Sequence, residues 1–333
     1  MEKIHFKDEF VHLGRLMMTL SKEPNQRNAN EQSSFLADMD DLIRLEVRRN
    51  GWFTEENVRL ALKGIGQTLT AEQLETWLQK YPEPVSPKKV GLVLAGNLPL
   101  VGFHDVLCTL LAGHTALVKM SRDDNRLLPA LLSAVPAIDR VQFVDRLTEF
   151  DAVIATGSGN TSRYFEYYFA HVPHIIRRNR TSVAVLTGEE SDEELKQLAD
   201  DVFQFFGLGC RNVTKVFMPH DFDLNRMFAG FFHYKDIVNH NKYANNYDYH
   251  KALWLLNRED LIENGFLIVK EEEQQLVSPV GTLFTKRYND INAVKQELED
   301  RSEELQCVVG RGYTPFGQAQ QPCLWDYADG VDT

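Results

Sequence analysis

Apolar residues recur at helical spacing over roughly the first 80 positions, then give way to short apolar runs separated by helical stretches. Asp38–Arg49 and Thr54–Lys63 carry apolar positions three and four apart, the period of a helix with one buried face. Thr70-Ala-Glu-Gln has the form of a capped helix start. Tyr81-Pro-Glu-Pro-Val-Ser-Pro87 interrupts the pattern with prolines and reads as a linker. Beyond it, Val90–Ala95, Thr115–Met120, Val141–Val144, Ala152–Ala155, Ser182–Leu186 and Thr214–Met218 have the length and composition of strands. Helical patterns lie between them at Pro99–Ala112, Leu127–Val135, Thr161–Ala170 and Glu189–Phe206, with Pro99 expected in an opening turn, where its missing N–H does no harm. Strands alternating with helices predict an α/β fold with a parallel sheet covered on both faces. Ligands of such sheets sit at the carboxyl ends of the strands.

Composition narrows the function. A chain of 333 residues suits two domains better than one core. Hydrophobic residues at 43% and charged residues at 25% are ordinary for a soluble protein. The net charge of −12 argues against nucleic acid or an anionic membrane as the main partner. The most apolar stretch, Val90–Met120, is broken by Asn97, Pro99, His104, Asp105 and His114, so no membrane span is expected. Cys108, Cys210, Cys307 and Cys323 show no paired spacing, and reduced thiols in a cytoplasm are expected. His233, His240 and His250 fit no standard zinc spacing, and no metal site is expected.

Four segments could carry chemistry. Cys210 follows Gly207 and Gly209, which strip bulk from the approach to its sulfur. A helix opening there would aim backbone N–H groups at the thiol and favour the thiolate; the alternative is a small buried hydrophobe, as expected for Cys108 and Cys307. Asn97 lies on the turn between a buried strand and the next helix, where its amide either faces a substrate or caps the helix. Lys119, Ser121 and Arg122 end the next strand. The cations there suit the adenosine ribose of a dinucleotide, with Arg122 able to grip a 2′-phosphate, or they are merely solvated. Thr156, Gly157 and Ser158 lead from a strand into a helix and suit a pyrophosphate, although Ser162 stands where a full dinucleotide fingerprint has its third glycine.

In this order the segments resemble the aldehyde dehydrogenase superfamily, and more specifically its acyl-CoA reductase branch, typified by LuxC. The resemblance runs from about Val90 to Val280, with a further likeness at Pro315-Phe316-Gly317. It implies an aldehyde dehydrogenase-like fold, a Rossmann-type cofactor domain plus an α/β catalytic domain. Residues 1–86 would be a helical section packed on the cofactor domain. Residues 87–180 would be that cofactor domain, completed by about 311–333, and residues 181–310 the catalytic domain.

The resemblance also implies roles. Cys210 would be the nucleophile, with the Asn97 amide and the Cys210 N–H as oxyanion donors. Lys119 would hold the adenosine ribose and Ser158 the pyrophosphate. The family's general-base glutamate is absent from the matching stretch Arg177–Ser182, which favours acyl-CoA chemistry over oxidation to an acid. Arg122, where a glutamate often stands, favours NADPH, with NADH the alternative. The family's glutamate for the nicotinamide ribose is also missing, and Gln274–Val280 occupies that region. The expected reaction is reduction of an acyl-CoA to an aldehyde. The rivals are a CoA-acylating aldehyde dehydrogenase running in the oxidative direction and a non-catalytic nucleotide-binding subunit of a fatty-acid reductase complex. A homo-oligomer or partner acyl-transfer proteins are further partners consistent with this reading.

Overall fold

The computed structural model describes residues 2–28, 33–82 and 86–333; residues 83–85, inside the expected linker, lie outside the described residues. The chain divides into two compact units, residues 1–179 with 322–333, and residues 180–321.

The first unit begins with four helices, α1 (Glu2–Leu20), α2 (Ser34–Arg49), α3 (Glu55–Thr68) and α4 (Ala71–Leu78). Ser33, Thr54 and Thr70 cap the last three, each side chain accepting an N–H three residues on. Phe10, Leu13, Ile43 and Leu62 from these helices share one continuous core with Leu92, Leu110 and Val118 of the sheet region. A buried ion cluster ties the helices together. Asp40 on α2 accepts from Arg27 (2.8 Å) and from Arg59 of α3 (3.0 Å). Arg59 also donates to the Leu20 and Lys22 carbonyls.

The sheet of this unit contains β1 (Lys89–Val93), β2 (Thr115–Lys119), β3 (Val141–Phe143), β4 (Ala152–Thr156) and β5 (His174–Arg177) in the order β3-β2-β1-β4-β5. All pairs are parallel, with Leu92 of β1 level with Val118 on one side and Ile154 on the other. The order reverses between β1 and β4, the switch point at which open α/β sheets hold ligands. The intervening helices are α5 (Phe103–Leu111), α6 (Leu127–Leu132) and α7 (Gly159–Tyr168). The helix expected from Pro99 therefore starts four residues later. Leu100 has φ 59° and cannot continue a right-handed helix, so Pro99 lies in a turn before α5.

Residues 322–333 return to this unit. The Trp77 indole donates to the Tyr327 hydroxyl (2.6 Å), and His104 Nε2 donates to the Leu324 carbonyl (2.8 Å). Arg177, buried, pairs with Asp105 (2.7 Å) and donates to the Ala328 carbonyl and the Thr333 hydroxyl.

The second unit holds β6 (Thr181–Val185), β7 (Val213–Pro219), β8 (Ile262–Glu263), β9 (Ile268–Glu271), β10 (Thr282–Tyr288) and β11 (Leu305–Gly310), in the order β11-β6-β7-β10-β9-β8. Only the β8–β9 pair is antiparallel. Its helices are α8 (Asp192–Phe203), α9 (Leu224–Phe231), α10 (Asn241–Leu256) and α11 (Ile291–Asp300). Helix α8 opens on a capping box of Ser191 and Glu194. It ends at Phe203, short of the expected Phe206, because Phe205, Phe206 and Gly207 all take left-handed φ values of 53°, 60° and 75°. Among the described residues no helix is long and apolar enough to cross a membrane.

Candidate active site

In the first unit the chain leaves three neighbouring strands on one edge. Lys119 ends β2, and Ser121 and Arg122 follow it; Lys119 and Arg122 are exposed and Ser121 is half-buried. These three line a cleft of about 520 Å³, together with Asn125 and with Phe143 and Asp145 at the end of β3. Asp145 is the one carboxylate there, against two cations. Asn97 is exposed on the turn that follows β1, between β2 and β4 in the sheet. A Cβ on Gly96 would lie 2.5 Å from the Ser121 side chain, so the two turns can touch only because position 96 is glycine.

Asp124 holds the asparagine turn in place and was not legible as a site residue in the sequence. It is buried, and its Oδ2 accepts the Leu100 N–H at 2.8 Å. Its Oδ1 has no hydrogen-bond partner. Burial pushes its carboxyl up to about 6; the Leu100 N–H restrains the rise, and nearby Glu46 adds to it.

At the end of β4, Thr156 and Gly157 are half-buried and Ser158 is exposed. Ser158 is the N-cap of α7, but its hydroxyl lies 3.3 Å from the Thr161 hydroxyl and makes no cap bond to the helix backbone. The end of α7 therefore keeps the polarity that suits an anion. Two exposed cations, a close glycine turn and this helix start fit a dinucleotide phosphate group. Lys119, Ser121 and Arg122 would hold its adenosine end, and Thr156, Gly157 and Ser158 its pyrophosphate.

Cys210 lies in the second unit and Asn97 in the first. The sulfur-bearing residue is exposed, as a nucleophile must be. No helix opens at Cys210, however. It occupies the turn Gly209–Asn212, closed by the Asn212 N–H to the Gly209 carbonyl at 3.0 Å, and leads directly into β7. The expectation of a helix N-terminus under the thiol is thus overturned: β7 needs extended backbone from Val213, leaving no room for a helical turn.

Two fully buried side chains build this turn. Asn212 Oδ1 accepts the Gly209 N–H (2.8 Å), while its Nδ2 donates to the carbonyls of Asp201 (3.1 Å) and Gln204 (2.8 Å). The Ser182 hydroxyl donates to the Cys210 carbonyl (3.0 Å). Asp201 in turn accepts the Gly317 and Ala319 N–H groups (2.7 and 2.9 Å), so the Pro315-Phe316-Gly317 stretch is fastened to the same end of α8. Burial pushes the Asp201 carboxyl up to about 7, against the pull of these two bonds.

The remaining candidates separate from this site. Cys108 is buried and burial drives its thiol well up, leaving it inert. Cys307 was expected in the core but is half-buried; it sits on the edge strand β11 beside an irregularity in register, with its sulfur 3.1 Å from the Ser182 hydroxyl. Cys323 is exposed. His240 caps α10 and stacks on Phe206 at 4.2 Å, His233 packs on Tyr234 and His250 on Trp254. Among the described residues no group of three or more His, Cys, Asp and Glu is gathered for a metal ion.

The stretch Gln274–Val280 is fixed by its own unit. Buried Lys215 donates to the Glu273 and Gln275 carbonyls (both 3.1 Å), and Arg301 to that of Gln274 (2.7 Å). Burial brings the Lys215 ammonium down to about 8. Tyr243, Phe206 and Val280 bound a cavity of about 20 Å³, room for one water molecule.

The model of the acyl-CoA reductase (LuxC) family matches residues 52–227, more than half of the chain and a span that includes Asn97, Lys119, Ser158 and Cys210. No curated protein matches the chain. Solved aldehyde dehydrogenases share its fold at low identity. Aldehyde dehydrogenase 21 from Physcomitrella patens, in complex with succinate, aligns with a TM-score of 0.62 at 12% identity, covering 91% of this chain and 73% of its own. Aldehyde dehydrogenase C from Pseudomonas syringae, complexed with NAD+ and octanal, gives 0.58 at 11%, covering 86% and 68%. The putative aldehyde dehydrogenase PutA from Anabaena variabilis gives 0.56 at 14%, covering 91% and 79%. The matched span, the parallel sheets and these neighbours agree: the chain belongs to the acyl-CoA reductase (LuxC) family, aldehyde-related oxidoreductases with the aldehyde dehydrogenase fold.

Proposed function

We propose that the protein reduces an acyl-CoA thioester to an aldehyde with NADPH, by way of an acyl-enzyme on Cys210. The observation that carries the reading is the exposure of Cys210 on a turn whose framework is buried. The Cys210 thiolate attacks the thioester carbonyl and forms a carbon–sulfur bond. Asn97 and the Cys210 N–H hold the developing oxyanion, each such donor worth roughly 3–4 kcal/mol. The bond to CoA breaks, CoA leaves as a thiolate, and the acyl group stays on Cys210. The reduced nicotinamide, when bound, supplies the hydride that the acyl carbon takes up. The resulting thiohemiacetal collapses, its carbon–sulfur bond breaks, and Cys210 is restored as the aldehyde leaves.

Hydrolysis is disfavoured because Arg177–Ser182 holds no carboxylate to activate water. Its arginines are engaged elsewhere, Arg177 with Asp105, Arg178 with Glu166 and Arg180 with the Leu305 carbonyl. Mixing the protein with an acyl-CoA in the absence of nucleotide is expected to add one acyl mass at the peptide containing Cys210. An unmodified Cys210 peptide would defeat the scheme. The NADPH preference rests on Arg122, exposed in the cleft beside Lys119. Arg122→Glu should lower the ratio of kcat/KM for NADPH over NADH by about 10- to 100-fold, the loss of one charge-assisted phosphate contact. An unchanged ratio would remove Arg122 from the cofactor site.

A further inference from the structure

We propose that Asn212 and Ser182 are positioning residues that fix the direction of the Cys210 thiol and peptide; the inference rests on Cys210 being the nucleophile. Both side chains are fully buried, yet they serve the turn that carries the exposed Cys210. Asn212 takes the Gly209 N–H on its Oδ1, and its backbone N–H bonds the Gly209 carbonyl. Ser182, on the neighbouring strand β6, takes the Cys210 carbonyl. Ser182 thus holds the peptide after the cysteine, the Asn212 backbone N–H holds the peptide before it, and the Asn212 side chain holds the next peptide back, so the turn is fixed from beneath. Rotation of these peptides would swing both the sulfur and the Cys210 N–H that the reaction requires.

The amide of Asn212 also has a second function. Its Nδ2 donates to the carbonyl of Asp201, in the last turn of α8, and to that of Gln204, the residue before the left-handed run. Phe205 and Phe206 at φ 53° and 60° are in a region that side chains with a Cβ seldom adopt. That conformation persists because its surroundings over-determine it: Phe205 is buried, Phe206 stacks on His240, and Asn212 satisfies the carbonyls that the helix leaves open. The strained run turns the chain sharply, and three residues beyond it Cys210 is exposed at the surface. Asn212 thus joins the end of α8 to the nucleophile turn through one side chain.

The test uses Asn212→Ala and the milder Ser182→Ala in the full chain, with folding checked by circular dichroism and thermal melting. Two rates are read at the Cys210 peptide by mass spectrometry: alkylation by iodoacetamide as a function of pH, and acylation by an acyl-CoA without nucleotide. Misplacement of a reacting group by about 1 Å costs on the order of 100-fold. Acylation in Asn212→Ala is therefore expected to fall by about that factor at saturating acyl-CoA, with a shifted or flattened alkylation profile, and Ser182→Ala is expected to show a smaller loss in the same direction. A purely structural role would lower the melting temperature and leave both rates per folded molecule unchanged, and that result overturns the proposal. If the unaltered protein takes up no acyl group, the nucleophile assignment fails. The alkylation profiles of the three proteins then still decide whether the two side chains set the reactivity of the thiol.

Discussion

Replacing Cys210 by alanine is expected to lower acyl-CoA reduction by about 10⁶-fold, the scale seen when a covalent nucleophile is removed from an enzyme. Neither Cys108 nor Cys307 is fit to substitute. Cys108 is buried with its thiol driven up, and Cys307 is half-buried with its sulfur against Ser182. The fold should be unaffected, because Cys210 is exposed and the bonds that form its turn come from Gly209, Asn212 and Ser182. Binding of NADPH should also survive, since Lys119, Ser121 and Arg122, the residues proposed to hold it, are carried by the other unit. Stopped assays of NADPH oxidation and a fluorescence titration of NADPH on the same preparation separate the two quantities. A variant that binds the nucleotide and still turns over at a tenth of the original rate would refute covalent catalysis at this position.

Asp40→Ala is expected to destabilise the first unit by about 3–5 kcal/mol, because it leaves two buried guanidinium groups without their shared carboxylate. The side chains of Arg27 and Arg59 are 4% and 6% exposed, so water cannot replace the lost partner. Urea unfolding should show a lower midpoint with the slope retained. The pH dependence follows from the same cluster. Burial alone would raise the Asp40 carboxyl, but the bonds from Arg27 and Arg59 outweigh it and hold the group below its ordinary 3.8. A carboxylate lowered in the folded state contributes stability that is complete above 3.8 and disappears as the pH falls through the folded value. The gap between the original protein and Asp40→Ala should therefore be full at neutral pH and narrow below pH 3.8. A gap that is constant down to acid pH would mean that the charge of Asp40 is not what secures the helices.

The alternation of apolar strands and amphipathic helices made the parallel sheet readable, and with it the placement of Lys119 to Arg122 and of Thr156 to Ser158 at strand ends. Thr70 was readable as a cap because N-capping is a local bond. What escaped is what depends on distant partners. Asp124 stands in the run Arg122-Asp-Asp-Asn125, which has the composition of a solvated loop, and only the folded chain buries it against Leu100. That contact holds the turn after Pro99, in which Leu100 takes its left-handed φ. Asn212 and Ser182 are single polar residues beside apolar strands, and nothing nearby in the sequence signals that both converge on Cys210. The left-handed pair Phe205–Phe206 runs against local preference, so helical periodicity carried the expected α8 three residues too far. Cys307 was misplaced in the core because its apolar neighbours resemble those of an inner strand, whereas β11 is an edge.

The return of residues 322–333 to the first unit has a consequence for biosynthesis. Trp77, His104 and Arg177 leave the ribosome early, but the segment that seals them follows only after the whole of the second unit has been made. At ordinary elongation speeds that interval is roughly 7–30 s. For its duration the Trp77 indole lacks the Tyr327 hydroxyl, and the Arg177 guanidinium, already paired with Asp105, lacks its Ala328 and Thr333 acceptors. The part of the enzyme translated first is the part completed last.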